Sequence, residues 1–283
     1  MAEITADAVK KLRDRTGMQM MKCKEALVKA NGDMEKAVEE LRKHNKEAQD
    51  KAASRETAEG RIGIYIDPAK KIGAIVELRC ESAPVAKMDM FVKLANDVAR
   101  HVAVSGAVAP EQMLTQKFVD NPAQTVHERI GEVVVLIKEN MKPARAAKLT
   151  GVLGSYIHHD GATGVLLEVE GKDSADPQLL RDVCMHITAA RPQYARREDV
   201  PADRVAKEKE IALAQISGDP KNANKPPQIL EKIAEGKMKT WYGENVLSEQ
   251  PFVKDDTKSV GDLLKAAGLK VVRFIRYKVG ELT

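Results

Sequence analysis

Aromatic residues are scarce in this sequence: Phe, Trp and Tyr together make up 4% of its 283 residues. Proteins that bind single-stranded nucleic acid without sequence preference stack the bases on aromatic side chains, so the shortage of rings counts against that class. Lys and Arg outnumber Asp and Glu by only 46 to 42, which leaves no strong positive field for a phosphate backbone. We therefore expect no nucleic acid partner.

Cysteine is scarce as well. Cys23, Cys80 and Cys184 lie far apart in the chain and lack the close pairing that zinc sites and redox motifs need. We interpret all three as buried thiols, and we predict neither a metal site nor a cofactor.

Familiar catalytic motifs are also missing. The sequence has no Walker-type phosphate loop, no GxGxxG after a strand, no GxSxG elbow and no HExxH helix. His158, His159 and Asp160 fall in a predicted hairpin turn without an obvious nucleophile. We predict a binding protein with no catalytic residue rather than an enzyme. A hydrolase that uses His158 and Asp160 is the alternative.

Long hydrophobic runs are absent, since no stretch approaches the roughly 20 apolar residues of a membrane-spanning helix. The first ten residues contain Glu3 and Asp7 and no apolar run, unlike a signal peptide. We expect no membrane association and a cytoplasmic location. The length of 283 residues predicts about two to four compact units.

Residues 1–45 carry the pattern of a three-helix bundle. Apolar residues recur at helical spacing, Gly17 follows the first helix, Gly32 follows the second, and Asp33 stands in the capping position of the third. Glycine can adopt the left-handed conformation that ends a helix, and a carboxylate can accept the free amides that begin one. We therefore predict a compact N-terminal module built to dock onto another protein.

The second helix of this bundle has two adjacent methionines. The spacing of Met20, Cys23 and Leu27 predicts its inward face. Adjacent residues point about 100° apart on a helix, so Met20 and Met21 cannot both point fully inward, and we expect one to be exposed. A flexible, polarisable methionine suits an adaptable contact surface, and extra core filling is the alternative.

Residues 46–60 have no apolar stripe and alternate in charge, so we interpret them as a solvated helix or linker. Alternating apolar residues that begin at Ile62, and again over 72–80, then predict a β-hairpin. A helix with an apolar stripe follows. We assign 61–143 to a first α+β lobe.

An internal repeat defines a second lobe. The pattern of the first hairpin recurs 91 residues later. Tyr65-Ile66 corresponds to Tyr156-Ile157, and GAIVEL (73–78) corresponds to GVLLEV (164–169). The following helices match as well, with His101 and His186 at corresponding positions, and we interpret both histidines as structural. We infer an α+β fold with two related lobes, each an antiparallel sheet with helices on one face. The second lobe is assigned to 144–201 and 242–283.

Residues 202–241 interrupt the second lobe. Their pattern indicates two charged helices around a loop, which predicts an inserted helical hairpin. A protruding charged hairpin packs back on its own chain or pairs with another copy. The segment is therefore a candidate homodimer contact.

The order of bundle, lobe, and lobe with hairpin comes with specific strings over practically the whole chain: Leu12-Arg13, Thr16-Gly17, Met20-Met21, Cys23-Lys24, Asn31-Gly32-Asp33, VLGSY (152–156), Met185-His186-Ile187, QPFV (250–253) and Phe274-Ile275-Arg276. In these strings the sequence closely resembles bacterial elongation factor Ts. The resemblance implies a guanine-nucleotide exchange factor that binds elongation factor Tu with GDP and promotes GDP release, so that GTP can rebind.

The resemblance also implies roles for particular residues. The N-terminal module, similar to ubiquitin-associated (UBA) domains, is expected to grip a helix of the partner's G domain with Arg13, Met20 and Met21. The second lobe around Tyr156 and His158 is expected to contact the partner outside that domain. Family members often continue into a further helical module, which we do not expect here because the sequence stops at the closing strand.

In that family, the loop after the first hairpin pushes into the G domain near its magnesium site. Here this loop is Ser82, Ala83, Pro84 and Val85, where the common pattern is Thr-Asp-Phe-Val. Ala83 thus replaces a carboxylate, and Pro84 replaces an aromatic wedge. Because proline fixes its own φ, we expect a small rigid wedge at Pro84 to act on the phosphate-binding loop.

A different class of function fits part of the pattern. An adaptor would use the bundle to bind ubiquitin-like or helical targets. That reading leaves the repeated lobes and the 250–253 string without a purpose, so the exchange factor is the preferred hypothesis.

Overall fold

Residues 4–219, 222 and 225–281 are described by the computed structural model of the chain. The residues outside this description are 1–3, 220, 221, 223, 224, 282 and 283. They belong to the predicted ranges 1–45, 202–241 and 242–283, and those parts of the predictions lie outside the described residues. The predicted bundle consists of α1 (Ala6–Thr16), α2 (Met20–Lys29) and α3 (Met34–Ala52). Its core is Val9, Leu12, Met18, Cys23, Leu27, Ala37, Val38 and Leu41.

The ends of these helices lie where the sequence predicts them. Gly17 adopts a φ of 67°, and its N–H donates to the Arg13 carbonyl at 2.7 Å, which ends α1. The Asp33 carboxylate accepts the amides of Glu35 and Lys36 at 3.0 and 3.1 Å, which begins α3. These bonds satisfy backbone groups that have no partner inside the helix.

The first lobe packs helices against a three-stranded antiparallel sheet. Its elements in chain order are β1 (Glu59–Asp67), β2 (Ile72–Cys80), α4 (Ala83–Ala86), α5 (Asp89–Ser105), α6 (Pro110–Thr115), β3 (Lys117–Phe118), β4 (Asn121–Thr125), α7 (Val126–Ile137) and β5 (Lys142–Thr150). The strand order is β1-β2-β5, and α5 covers one face with Phe91, Leu94 and Val98.

The predicted boundary between residues 143 and 144 is wrong. Strand β5 pairs with β2, from Ile72 opposite Thr150 to Arg79 opposite Lys142, so residues 144–150 belong to the first sheet. The strand was missed because its sequence, KPARAAKLT, contains hardly any of the β-branched and aromatic residues that are typical of strands.

Helix α3 runs through much of the segment that we interpreted as a solvated helix or linker, 46–60. Asn45, Gln49 and Ala52 are buried on one face, and Gln49 Nε2 donates to the His127 carbonyl of α7 at 3.2 Å. The interpretation as a linker is therefore wrong for this part. The inward positions hold two amides and an alanine, which leave no apolar stripe in the sequence.

The second lobe repeats the first around the inserted hairpin. Its elements are β6 (Val152–Ile157), β7 (Thr163–Glu170), α8 (Pro177–Ala190), α9 (Ala202–Ser217), α10 (Pro227–Asn245), β8 (Pro251–Phe252), β9 (Asp255–Ser259), α11 (Val260–Ala266) and β10 (Lys270–Lys278). The strand order β6-β7-β10 matches that of the first sheet. The short pairs β3–β4 and β8–β9, each followed by a helix, extend the predicted repeat and confirm the α+β fold.

The two sheets pack on each other through the faces that their helices leave open. Ile62 and Ile75 of the first sheet and Leu166 and Tyr277 of the second belong to one buried cluster. Gly164 permits the close approach, because a Cβ at that position would lie 2.5 Å from Cγ2 of Ile62. The resulting layers are helix, sheet, sheet and helix, with the apolar faces removed from water.

Helices α9 and α10 form the predicted inserted hairpin. Their buried side chains are Ala212, Ile216, Ala234 and Met238. Ile211, Leu213 and Ile229 remain exposed, so part of the apolar surface of the hairpin is uncovered. Neither of these helices nor any other in the described ranges is long and apolar enough to cross a membrane.

Candidate partner-binding surface

Both methionines at the start of α2 are exposed, where we expected one. Met20 is 52% exposed and Met21 is 65% exposed. The predicted inward position of Met20 is wrong, because α2 begins at Met20 and Met18 of the preceding turn fills the core instead. Asn45 Nδ2 donates to the Met18 sulfur at 3.8 Å. The result is a pair of flexible apolar side chains in contact with water.

Arg13 is exposed in the last turn of α1. Burial raises the pKa of the Cys23 thiol in α2, whereas its hydrogen bond with Thr16 and the positive charge of Arg13 oppose that rise. An exposed cation in the same module as two exposed, polarisable apolar side chains fits a partner surface that is apolar with an acidic edge.

The loop after the first hairpin folds into a single helical turn, α4. Ala83 and Pro84 are exposed, whereas Val85 is buried in the core of the first lobe. Proline suits the first turn of a helix, because the N–H that it lacks would have no helical partner there. Two of the four predicted loop residues thus face outward, and Val85 anchors the turn.

Ser82 is held by Glu139, which lies in the turn after α7. The Ser82 hydroxyl donates to Glu139 Oε1 at 2.5 Å, and the amides of Ser82 and Glu81 donate to Oε2 at 3.0 and 3.2 Å. Hydrogen bonds to a carboxylate are stronger than those between neutral groups. Sequence reasoning missed Glu139, because it lies 57 residues from Ser82.

The same turn grips the C-terminal end of α3. The buried Asn140 side chain donates to the carbonyls of Ala53 and Arg55 at 3.3 and 2.7 Å. Arg55 in turn pairs with Glu81 at 2.9 Å and donates to the Lys138 carbonyl at 2.9 Å. The end of α3 and the start of the loop are therefore tied to one another.

Helix α3 consequently connects the two exposed surfaces. Its N-terminal half packs inside the bundle that carries Met20 and Met21, and its C-terminal end is tied to the loop that carries Ala83 and Pro84. A helix of 19 residues spans about 28 Å. This rigid element sets the separation of the methionine pair from the exposed turn.

The three cysteine thiols are buried. Burial, together with the negative charge of Glu139, raises the pKa of the Cys80 thiol to about 12. Burial likewise raises the pKa of Cys184. All three cysteines are buried and free, as predicted. Over the residues that the structure describes, no cluster of three His, Cys, Asp or Glu side chains is placed to hold a metal ion.

Tyr156 and His158 lie together on the second hairpin, with the Tyr156 hydroxyl 3.2 Å from His158 Nδ1. The Arg181 guanidinium lies over the Tyr156 ring at 5.6 Å. Asp160, which the hydrolase alternative requires, accepts the Ala162 amide at 2.9 Å and closes the turn. These contacts order the surface of the hairpin.

His101 and His186 have equivalent partners in the two lobes. His101 Nε2 lies 2.9 Å from Gln116 Oε1, and His101 Nδ1 accepts the Val119 amide at 3.4 Å. His186 Nε2 lies 2.9 Å from Gln250 Oε1. Burial lowers the pKa of both histidines, so both are neutral near pH 7. They are structural, as predicted.

Comparisons with known proteins agree with this arrangement. The family model described as Elongation factor TS matches residues 84–281. Elongation factor Ts of Pasteurella multocida (strain Pm70) is 45% identical over 284 residues, which cover 99% of this chain and 93% of that protein. The proteins of the same name from Methylococcus capsulatus and Aquifex aeolicus are 43% and 39% identical, covering 98% and 99% of this chain and 92% and 99% of theirs.

The bundle, the two related lobes and these matches place the protein among the translation elongation factors, which act in protein biosynthesis. The chain belongs to the elongation factor Ts family. The family model begins inside the α4 turn, and the matches over the whole length extend the relationship to the N-terminal bundle.

Proposed function

We propose that this protein is the guanine-nucleotide exchange factor of elongation factor Tu. It binds the GDP complex of elongation factor Tu and promotes the release of GDP, so that GTP can rebind. One observation carries the proposal: two exposed surfaces, Met20-Met21 and Ala83-Pro84, are joined by the single helix α3. A protein that must hold a GTPase and deform its nucleotide site needs two contacts at a fixed separation.

Thermodynamic linkage gives the mechanism. A factor that binds nucleotide-free elongation factor Tu more tightly than the GDP complex must weaken GDP binding by the same ratio. This protein breaks no covalent bond, so it is not an enzyme and needs no cofactor or metal of its own. The free energy comes from contacts that form fully only when GDP has left.

The N-terminal module holds the partner. Arg13, Met20 and Met21 grip a helix of the G domain, where methionines adapt their shape to the apolar side of that helix. The exposure of all three side chains supports this role, because none is used inside the bundle.

The α4 turn acts on the nucleotide site. Ala83 carries no carboxylate and Pro84 carries no aromatic ring, so the turn works as a small rigid wedge rather than by charge repulsion at the magnesium ion. Ser82, held by Glu139, and Val85, buried in the first lobe, keep the wedge in place. A contact that is ordered in advance loses less conformational freedom on binding.

The remaining parts of the chain have supporting roles. Tyr156 and His158 on the second hairpin contact elongation factor Tu outside its G domain. The inserted hairpin, 202–241, pairs with a second copy through its exposed apolar side chains. The protein works in the cytoplasm, without a nucleic acid or membrane partner.

Release of fluorescent GDP from elongation factor Tu tests the proposal. A substoichiometric amount of the factor should accelerate the release of all the bound nucleotide, because each molecule dissociates when new nucleotide binds. An unrelated GTPase loaded with the same nucleotide is the control and should be unaffected. If the GDP off-rate of elongation factor Tu did not change, the proposal would be abandoned.

A further inference from the structure

Exposed methionines are confined to two short segments of the described chain. Of the eleven methionines, all but Met1 are described, and four of these are exposed: Met20, Met21, Met88 and Met90. The first pair belongs to the module surface. The second pair is 44% and 41% exposed and lies outside that module.

Met88 and Met90 lie directly after the exposed turn. The Met88 amide donates to the Val85 carbonyl at 3.0 Å, and the Lys87 amide donates to the Pro84 carbonyl at 3.1 Å. Only Lys87 and Met88 separate α4 from α5. Met88 is the N-cap of α5 and Met90 lies in its first turn, four and six residues after Pro84.

Methionine at this N-cap is unfavourable for local reasons. Helices prefer Ser, Thr, Asp or Asn there, because those side chains accept a free amide of the first turn. Met88 makes no side-chain capping bond. It also exposes an apolar side chain to water, as Met90 does. An exposed apolar side chain where a capping residue is preferred is a local inconsistency that is typical of a functional site.

We propose that Met88 and Met90, together with Pro84, form the apolar wedge that this protein places against the G domain of elongation factor Tu. The proposal rests on the exchange function proposed above. The occupant is an apolar patch of the GTPase beside its nucleotide site. Two unbranched side chains, each with three rotatable bonds, supply the contact area that the proline ring alone lacks.

The test is the double variant Met88→Gln with Met90→Gln. Glutamine keeps the length and flexibility of methionine but resists burial, and both positions are exposed, so thermal unfolding should be unchanged. We expect the rate of GDP release at saturating factor to fall about tenfold, which corresponds to about 1.4 kcal/mol. The matched control is Val104→Gln, a 45% exposed apolar residue at the other end of α5, which should exchange like the wild type.

The outcomes separate this proposal from the exchange function. Failure of the wild-type protein to accelerate GDP release would overturn both the exchange function and the role of the two methionines. A double variant as active as Val104→Gln would overturn the role of the methionines and leave the exchange function intact. A variant that lost self-association in sedimentation, with normal exchange, would assign the pair to a contact between two copies and would also overturn the proposal.

A rescue experiment tests the wedge directly. Adding Pro84→Phe to the double glutamine variant places a large apolar group on the exposed turn just before Met88. The rate of GDP release should recover in part if lost apolar contact is the defect. A rate that stays at the level of the double variant would contradict the wedge.

Discussion

The Ser82 hydroxyl donates to Glu139 Oε1 at 2.5 Å, and the Ser82 amide donates to Oε2 of the same carboxylate at 3.0 Å. One acidic side chain thus fixes both the backbone and the side chain at the start of the exposed turn. Because Asn140, the next residue, holds the end of α3, the position of the turn is linked to that of the bundle. The loop is therefore ordered before any partner arrives.

Substitution of Glu139 by Gln should slow exchange more than it weakens binding. The amide keeps the size of the side chain, and its oxygen can accept the amides of Glu81 and Ser82 while its NH₂ group donates to the Ser82 hydroxyl, but the negative charge that strengthens these bonds is lost. A hydrogen bond to a charged group contributes about 1.5–3 kcal/mol, and we expect part of this loss in the free energy of unfolding. We also expect the rate of GDP release at saturating factor to fall about tenfold, which corresponds to about 1.4 kcal/mol.

The control for this substitution is Glu111→Gln, which removes an exposed carboxylate from the first turn of α6. The control should have the same stability as the wild type in urea unfolding and the same rate of GDP release in stopped-flow measurements with fluorescent GDP. A Glu139→Gln protein with wild-type release would mean that the order of the loop does not matter for exchange.

Pro84→Gly tests whether the turn acts as a rigid wedge. Glycine removes the apolar ring and frees φ, so the turn samples more conformations. We expect about 0.4–1 kcal/mol lower folding stability and a lower maximal rate of GDP release, with a smaller effect on affinity. Titration of the factor separates the maximal rate from the half-saturating concentration. Pro110→Gly, in the first turn of α6, is the matched control, and equal losses in rate and affinity would argue against a wedge.

Met20→Ala together with Met21→Ala should weaken binding without changing the maximal rate. Burial of a methionine side chain stabilises by about 1.5–3 kcal/mol, so the half-saturating concentration should rise roughly tenfold or more. Folding stability should stay within about 0.5 kcal/mol, because both side chains are exposed in the free protein. Val28→Ala, 49% exposed at the other end of α2, is the control. An unchanged half-saturating concentration would exclude these methionines from the contact.

The sequence predicts well those features that depend on local chemistry. Gly17 and Asp33 can be recognised as helix ends, because a left-handed glycine and a capping carboxylate bond only to backbone groups within one turn. The placement of Met20 failed for a related reason: its exposure depends on where the preceding turn puts Met18, and periodicity does not contain that information. The repeat was detectable because both lobes fill the same inward positions with similar side chains.

Long-range contacts could not be predicted in this way. Glu139 lies 57 residues from Ser82, and Asn140 lies 87 residues from Ala53. No local sequence pattern indicates that these residues are in contact. Strand β5 is recognisable only through its pairing with β2. The family resemblance therefore pointed to this loop, whereas the contacts that hold the loop in place were missed.

His101 and His186 each use both ring nitrogens in the neutral form. Nε2–H donates to a glutamine carbonyl oxygen, and Nδ1 accepts the amide of Val119 or Val253. A proton on Nδ1 would face that amide, and burial already disfavours the charged ring. Burial accordingly lowers the pKa of both histidines in the folded protein.

These two histidines should make the stability of the protein depend on pH. In the unfolded chain a histidine titrates near pH 6.5, so below about that pH the unfolded state binds more protons than the folded state. Their contribution is fully present above about pH 6.5 and is lost as the pH falls toward the lower folded pKa. Urea unfolding between about pH 8 and pH 5 measures this slope. The slope should flatten when His101 and His186 are both replaced by Gln, and it should persist in His159→Gln, which changes an exposed histidine. The same slope in the double variant would mean that other groups cause the acid sensitivity.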